Sequence, residues 1–245
     1  MGMKITLIHG QNHKGSTYTI SRMLAEKIGG EVSEFFLPKD FDAHCAGCFT
    51  CLSSGIASCP HYGLLAPILD ALLGADVLII DSPTYCMEMT GQLKSLFDHL
   101  FTAWLSHRPH EAMFAKTGVA VSTAAGAGMG GVTKSIARQM FYLGISKVYR
   151  ISQRVAAMSW AEVNEKAKIR IEANADKIAG KIRNTQGKAK PGFKLMFMFG
   201  LMRQMQKGND YAPRDRQHWE ENNWLGKGRP WKPAGKSEQG NNTGL

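Results

Sequence analysis

The sequence predicts a doubly wound α/β fold: one parallel five-stranded sheet with helices on both faces, followed by a C-terminal extension. Three observations carry this. Short β-rich runs and helical spacings alternate in the order βαβαβαβαβα over residues 3–183, the pattern of right-handed crossovers onto a parallel sheet. The run at 75–81, ADVLIID, is almost continuously apolar, as a strand covered on both faces should be. Loops marked by glycine or proline follow three strand ends, at 10–17, 82–100 and 122–131, where open parallel sheets place ligands.

The elements follow in order. Residues 3–8 read as the first strand, ending at His9-Gly10. In residues 17–28 the residues Ile20, Met23, Leu24 and Ile28 share one helical face, and Gly29-Gly30 ends the helix. Residues 31–37 are the second strand. A cysteine loop spans about 42–61, and a helix at 63–73 carries Leu64, Leu65, Ile68, Leu69 and Leu72. The third strand, 75–81, is broken by Ser82-Pro83-Thr84-Tyr85. A helix over 90–105 places Leu93, Leu96, Phe97 and Leu100 on one side. Then come a strand at 116–123, the glycine loop AAGAGMGG, a helix near 132–143, a strand at 146–156 and a long polar-faced helix at 159–183.

Composition fits this picture. Of 245 residues, 44% are hydrophobic and 20% charged, which argues against wholesale disorder, collagen-like repeats and coiled coil. No stretch reaches the roughly 20 apolar residues of a membrane span. The opening MGMKITLIHG moves directly into a strand with no leader pattern, so a cytoplasmic protein is expected. The net charge of +10 is uneven. Residues 1–180 hold 17 basic and 15 acidic side chains, and residues 181–245 hold 13 and 5. Such a basic tail attracts nucleic acid, anionic membrane or a phosphorylated cofactor, or is simply a solvated surface. No zinc-finger, helix-turn-helix or aromatic RNA-binding motif accompanies it, so no nucleic-acid partner is expected.

Residues 1–187 form the expected main domain, and residues 188–245 the expected extension. The stretch 184–191 reads as a linker. FKLMFMFGLMRQMQ, next along, is too short to span a bilayer; it reads as a docking helix, a dimer contact or an interfacial helix. Trp219, Trp224 and Trp231 are costly to expose and predict an ordered, packed tail. The last ten or so residues have a disordered composition.

The three rim loops have chemistry. Gly10 to Thr17 offers Gly15 for close backbone approach, Ser16 and Thr17 as hydroxyl donors, helix-start amides, and His13 and Lys14 as local positive groups. Together these suit a phosphate, although the loop matches neither GxGxxG nor GxxxxGK[ST]. Pro83 and Tyr85 suit a rigid wall beside a flat aromatic ring system, or are merely a proline-terminated strand. The small residues of STAAGAGMGG let backbone amides approach a planar ligand's polar edge.

In these motifs the chain resembles the flavodoxin-like NAD(P)H-dependent FMN reductases, in the branch that includes the iron–sulfur flavoproteins. GQNHKGST, CAGCFTC with a later Cys-Pro, SPTYCMEMTGQLKSLFDH and STAAGAGMGG arrive in family order, covering residues 3 to about 180. The resemblance implies a flavodoxin-like three-layer sandwich that binds FMN and uses NAD(P)H as co-substrate. The phosphate would lie on Gln11, His13, Gly15, Ser16 and Thr17. The isoalloxazine would rest on Pro83, Thr84, Tyr85, Cys86 and Met87, and its pyrimidine edge would meet the backbone around Thr123, Ala124, Ala125, Gly126 and Gly128. Where the family commonly has serine after the first glycine, this chain has Gln11, whose amide donates with a different reach. The resemblance also makes a homodimer or homotetramer plausible.

Cys45, Cys48 and Cys51 follow Cys-x-x-Cys-x-x-Cys, with Cys59 eight positions on. Four thiolates at this spacing suit a [4Fe–4S] cluster or zinc, or stay free or form a disulfide. Three functions are then open: an FMN-dependent oxidoreductase, an electron carrier without NAD(P)H activity, and a non-enzymatic redox sensor or scaffold. The first would pass electrons to a quinone, nitro compound, flavin or protein. It needs no side-chain acid or base, so no catalytic residue is assigned. Arg108 either draws in an anionic acceptor or makes a surface ion pair, and the tail tryptophans either cover the flavin or pack structurally.

Overall fold

The fold was described from a computed structural model, over residues 2–157 and 159–232. The five strands are β1 (Lys4–His9), β2 (Glu31–Phe36), β3 (Val77–Asp81), β4 (Thr117–Ala124) and β5 (Lys147–Arg154). They form one sheet in the order β2-β1-β3-β4-β5, every neighbouring pair parallel. The chain leaves β1 toward β2 and returns on the far side as β3, so the direction of winding reverses between β1 and β3. Ligands bind at such a point.

Period-two alternation sorts the strands' side chains into two cores. Ile5, Leu7, Val77, Ile79, Val119 and Val121 meet α1 (Ser16–Ile28) and α6 (Glu165–Asn184). Ile8, Leu78, Ile80 and Ala120 meet α3 (Tyr62–Gly74), α4 (Gly91–His99) and α5 (Met129–Tyr142). This is the expected three-layer sandwich. The cysteine segment, expected as loop, holds the short helix α2 (Thr50–Ser54).

Some boundaries differ from expectation for identifiable reasons. The helix expected over 90–105 ends at His99, because Leu100 turns into the sheet core whereas Leu105 joins a separate core under the extension. The helix expected from 159 starts at Glu165, where the Asn164 side chain caps it by accepting from the Ala167 amide at 2.9 Å. The linker at 184–191 is pinned down. The Ala189 amide donates to the Ala115 carbonyl at 2.8 Å, and a Cβ added at Gly187 (φ 73°) would lie 2.9 Å from Val77.

Two further helices build the extension, α7 (Phe193–Lys207) and α8 (Pro213–Glu221). Leu195, Phe199 and Met202 of α7 pack with Trp219, Trp224, Leu105 and Phe114 into a third core. Trp219 is fully buried, and its indole N–H donates to the His107 carbonyl at 2.7 Å. The tryptophans therefore pack the extension onto the segment after α4. The final residues, expected to be disordered, lie outside the described residues. No described helix is long and apolar enough to cross a membrane.

Candidate functional site

The carboxyl ends of β1, β3 and β4 carry the three rim loops, and the structure draws them together around a cavity of about 480 Å³. It is lined by Gln11, His13, Gly15, Ser16, Thr17, Pro83, Thr84, Tyr85, Thr123, Ala124 and Ala125, all expected, and by Tyr18, Asp81, Val155 and Ala157, which were not. The loops are tied to one another. The hydroxyls of Thr17 and Thr123 lie 2.6 Å apart, the Thr84 amide donates to the Thr123 carbonyl at 2.9 Å, and the Thr90 hydroxyl donates to the Gly10 carbonyl at 2.6 Å. A Cβ at Gly10 would fall 2.7 Å from the Asp81 carbonyl, so only glycine lets the first two loops touch.

The start of α1 is built for an anion. Gly15 caps it with no side-chain hydrogen bond, and its first-turn amides face the cavity rim with the positive end of the helix dipole. The Ser16 hydroxyl is buried without a hydrogen-bond partner within the chain, like the Ser21 hydroxyl and the Trp104 indole N–H. It alone of the three lines the cavity, where a ligand or an ordered water can answer it. The Lys14 ammonium lies over the Tyr18 and Phe36 rings, 5.4 and 5.5 Å from their centroids. These donors, together with the small residues of the third loop, fit a phosphate with an attached planar ring.

Cys86, Met87, Gly126 and Gly128 do not line the cavity. Tyr85 and Glu88 exchange backbone hydrogen bonds of 3.0 Å around a two-residue turn, and Cys86 (φ 49°) and Met87 (φ 66°) take the left-handed backbone such a turn requires. Their side chains are exposed. Gly128 (φ 96°) starts α5 against Thr84 and Met87, where a Cβ would meet the Thr84 methyl at 2.7 Å. It therefore seats the second loop on the third. A Cβ added at Gly126 would meet no atom within 4 Å.

Beneath the rim lies a charged group that sequence reading missed. His9, buried at the end of β1, bonds Asp81 at 2.6 Å and Glu34 at 2.9 Å and stacks on Phe36. Burial pushes its imidazole pKa down, but the charge and hydrogen bond of Asp81, then those of Glu34, outweigh it, so His9 titrates above its ordinary value. Its partners are 25 and 72 residues away in sequence, beyond any local signal.

The four clustered cysteines share a second concavity, about 420 Å³, with His61, Asp98 and His99. All five cysteines are unbridged. Cys51 is buried, and burial raises its thiol pKa, with Cys59, Cys45 and Cys48 pushing it further. Thr50 donates to the Cys48 sulfur at 3.3 Å and lowers that thiol. Four sulfurs lining one hollow suit a cation once they are deprotonated. Cys59, His61 and His99 also place one ligand atom each within 4.8 Å of one another, and His99 Nδ1 donates to the Ser95 carbonyl at 2.7 Å.

Arg108 is not a surface cation. Its guanidinium donates to the Leu52 and Cys51 carbonyls at 3.1 and 2.5 Å and to the buried Asp215 carboxylate of α8 at 2.6 Å. It clamps the cysteine loop to the extension, so of the two expected roles the ion pair is the one formed, with a buried carboxylate and not at the surface.

An iron–sulfur flavoprotein from Archaeoglobus fulgidus is 30% identical over 99 residues, 39% of this chain. The match spans 48% of that curated relative, about half its length. An azoreductase from Bacillus anthracis str. Sterne is similar in fold, with TM-score 0.55 at 14% identity, covering 73% of this chain and 99% of that one. FerB, a flavoenzyme NAD(P)H:(acceptor) oxidoreductase from Paracoccus denitrificans, gives 0.50 at 14% identity over 76% and 100% of the two chains. The model of the NADPH-dependent FMN reductases, a family of FMN oxidoreductases, matches residues 3–161 and takes in all three rim loops and the cysteine pocket, and the chain belongs to that family.

Proposed function

We propose that this chain is an FMN-dependent oxidoreductase that takes electrons from NAD(P)H and passes them to a separate acceptor: a quinone, a nitro compound, a flavin or a redox protein. In this reading residues 1–187 are the FMN-binding unit and residues 188–245 the extension. The observation that carries it is the buried, unpartnered Ser16 hydroxyl at the uncapped start of α1, inside a cavity where all three rim loops meet.

FMN, when bound, would supply the two-electron redox chemistry with a nicotinamide. The chain's own residues bind and orient. Ser16, Thr17 and the first amides of α1 hold the phosphate, with Gln11 and His13 beside them. Pro83, Thr84 and Tyr85 wall one side of the ring, and the backbone of Thr123, Ala124 and Ala125 meets its polar edge. The His9–Asp81 pair sits under this rim and stiffens the junction of the first two loops.

For the cysteine pocket we propose a [4Fe–4S] cluster on Cys45, Cys48, Cys51 and Cys59, supported by the convergence of the four residues on one hollow. Zinc is a second reading, favoured by the Cys59–His61–His99 grouping. Iron, sulfide and zinc analysis of anaerobically purified protein decides between them.

The functional test is anaerobic mixing of FMN-loaded protein with NADPH or NADH. Rapid loss of the yellow flavin absorbance is expected. A solution that stays yellow contradicts the enzyme and leaves an electron carrier.

A further inference from the structure

Helix α7 is apolar on both sides. Its inner face (Leu195, Phe199, Met202) is spent on the third core. Its outer face is open: Phe193 is 76% exposed, Phe197 63%, Leu201 47%, Met205 57% and Met196 41%. At 3.6 residues per turn, Phe193, Phe197, Leu201 and Met205 follow one another as a single outward row, each four positions after the last. A helix apolar all round is ordinarily covered all round. Among the described residues this one is covered on one side only.

Charge indicates what covers the other side. α7 contains no acidic residue. On the same helical geometry Lys194 flanks the apolar row on one side and Lys207 on the other, and Lys190 precedes the helix. All three are exposed and make no ion pair among the described residues. Residues 181–245 carry 13 basic against 5 acidic side chains. The exposed ring of Tyr211 follows just beyond the helix. A second copy of the chain would bury the row but bring a second set of unpaired cations with it. An anionic bilayer surface answers both features: phenylalanine and leucine enter the headgroup–acyl boundary, while lysines on the flanks reach the lipid phosphates.

We propose that the outer face of α7 docks the protein on the surface of membranes containing anionic phospholipid. It lies in the interface and does not span it. This docking is independent of the FMN reading, because every residue in it lies outside the rim cavity and the cysteine pocket.

The test is co-sedimentation of the full-length, FMN-loaded protein with vesicles of phosphatidylcholine alone and with about 30% phosphatidylglycerol. Binding to the anionic vesicles is expected to be at least about tenfold tighter than to neutral ones, and to fall on adding about 0.5 M salt. Phe193→Ser combined with Phe197→Ser should remove it, with FMN affinity and circular dichroism unchanged. Lys194→Gln with Lys207→Gln, which leaves the apolar row intact, should abolish the preference for anionic lipid. The proposal is overturned if wild type fails to bind anionic vesicles or binds neutral vesicles equally. It is also overturned if sedimentation shows a dimer that the two phenylalanine substitutions dissociate, since the face then covers itself.

Discussion

The rim cavity and the cysteine pocket are built in opposite ways. The rim is made of loops at the ends of three adjacent strands, and its ties run between those loops: Thr17 to Thr123, Thr84 to Thr123, Thr90 to Gly10. The four cysteines lie in one long segment between β2 and α3 that packs on Asp98 and His99 of α4, and its ties reach outward through Arg108 to Asp215 in the extension. The first site is a property of the sheet. The second depends on a helix more than 150 positions further along the chain. Damage to the extension should therefore disturb the cysteines and spare the flavin, and damage to the rim should do the reverse.

Asp215→Ala gives the largest expected effect. It strips a buried carboxylate from Arg108 and His107, and breaking such a pair from one side costs about 3 kcal/mol or more. Chemical denaturation should show that loss, and thiol-reagent titration should show faster reaction of Cys51, with FMN affinity in the folded protein unchanged. Loss of FMN binding in that folded variant would mean the two sites are not separately supported.

Gly10→Ala probes the other side. The added methyl meets the Asp81 carbonyl and forces the first two loops apart. A cost of about 2 kcal/mol in stability is expected from the overpacking. FMN affinity should fall with it while cysteine reactivity stays at the wild-type level, read by fluorescence titration and thiol kinetics.

Ser16→Ala separates binding from folding. Removing an unpartnered buried hydroxyl should leave the FMN-free protein equally stable or slightly more so by thermal unfolding. The same change should weaken FMN about tenfold, the worth of one hydrogen bond to a charged group. Equal affinity in the two proteins would remove Ser16 from the phosphate site.

The smallest effect is a pH dependence. The His9 imidazole has a folded pKa raised above its unfolded value. Its contribution to stability is thus fully present below the unfolded pKa and fades as pH rises through the folded one. The stability gap between wild type and His9→Gln, about 1 kcal/mol at mildly acidic pH, should narrow on going to about pH 9. A gap that widens would contradict the charged His9–Asp81 pair.

What could be read from the sequence follows the same division. The strands and crossovers were legible because each carries its own apolar period, and the rim loops because glycine and hydroxyl residues stand directly at strand ends. Helix starts were less so. Asn164 marks the true start of α6, but the segment before it reads equally well as helix. Partnerships across the fold were not legible: His9 with Asp81, Arg108 with Asp215, and the extension's tryptophans with Leu105 and Phe114 depend on residues far apart in the chain. Cys86 and Met87 were expected in the flavin wall from the family resemblance alone, and no glycine announces the left-handed turn they form.

The central claim is that three loops at one rim of the sheet bind a single FMN. Equilibrium titration of the flavin-free protein with FMN, followed by flavin fluorescence, tests it most directly. One FMN per chain is expected, with weaker binding in Ser16→Ala and wild-type binding in Asp215→Ala. A wild-type protein that leaves FMN fluorescence unchanged across the titration would contradict it.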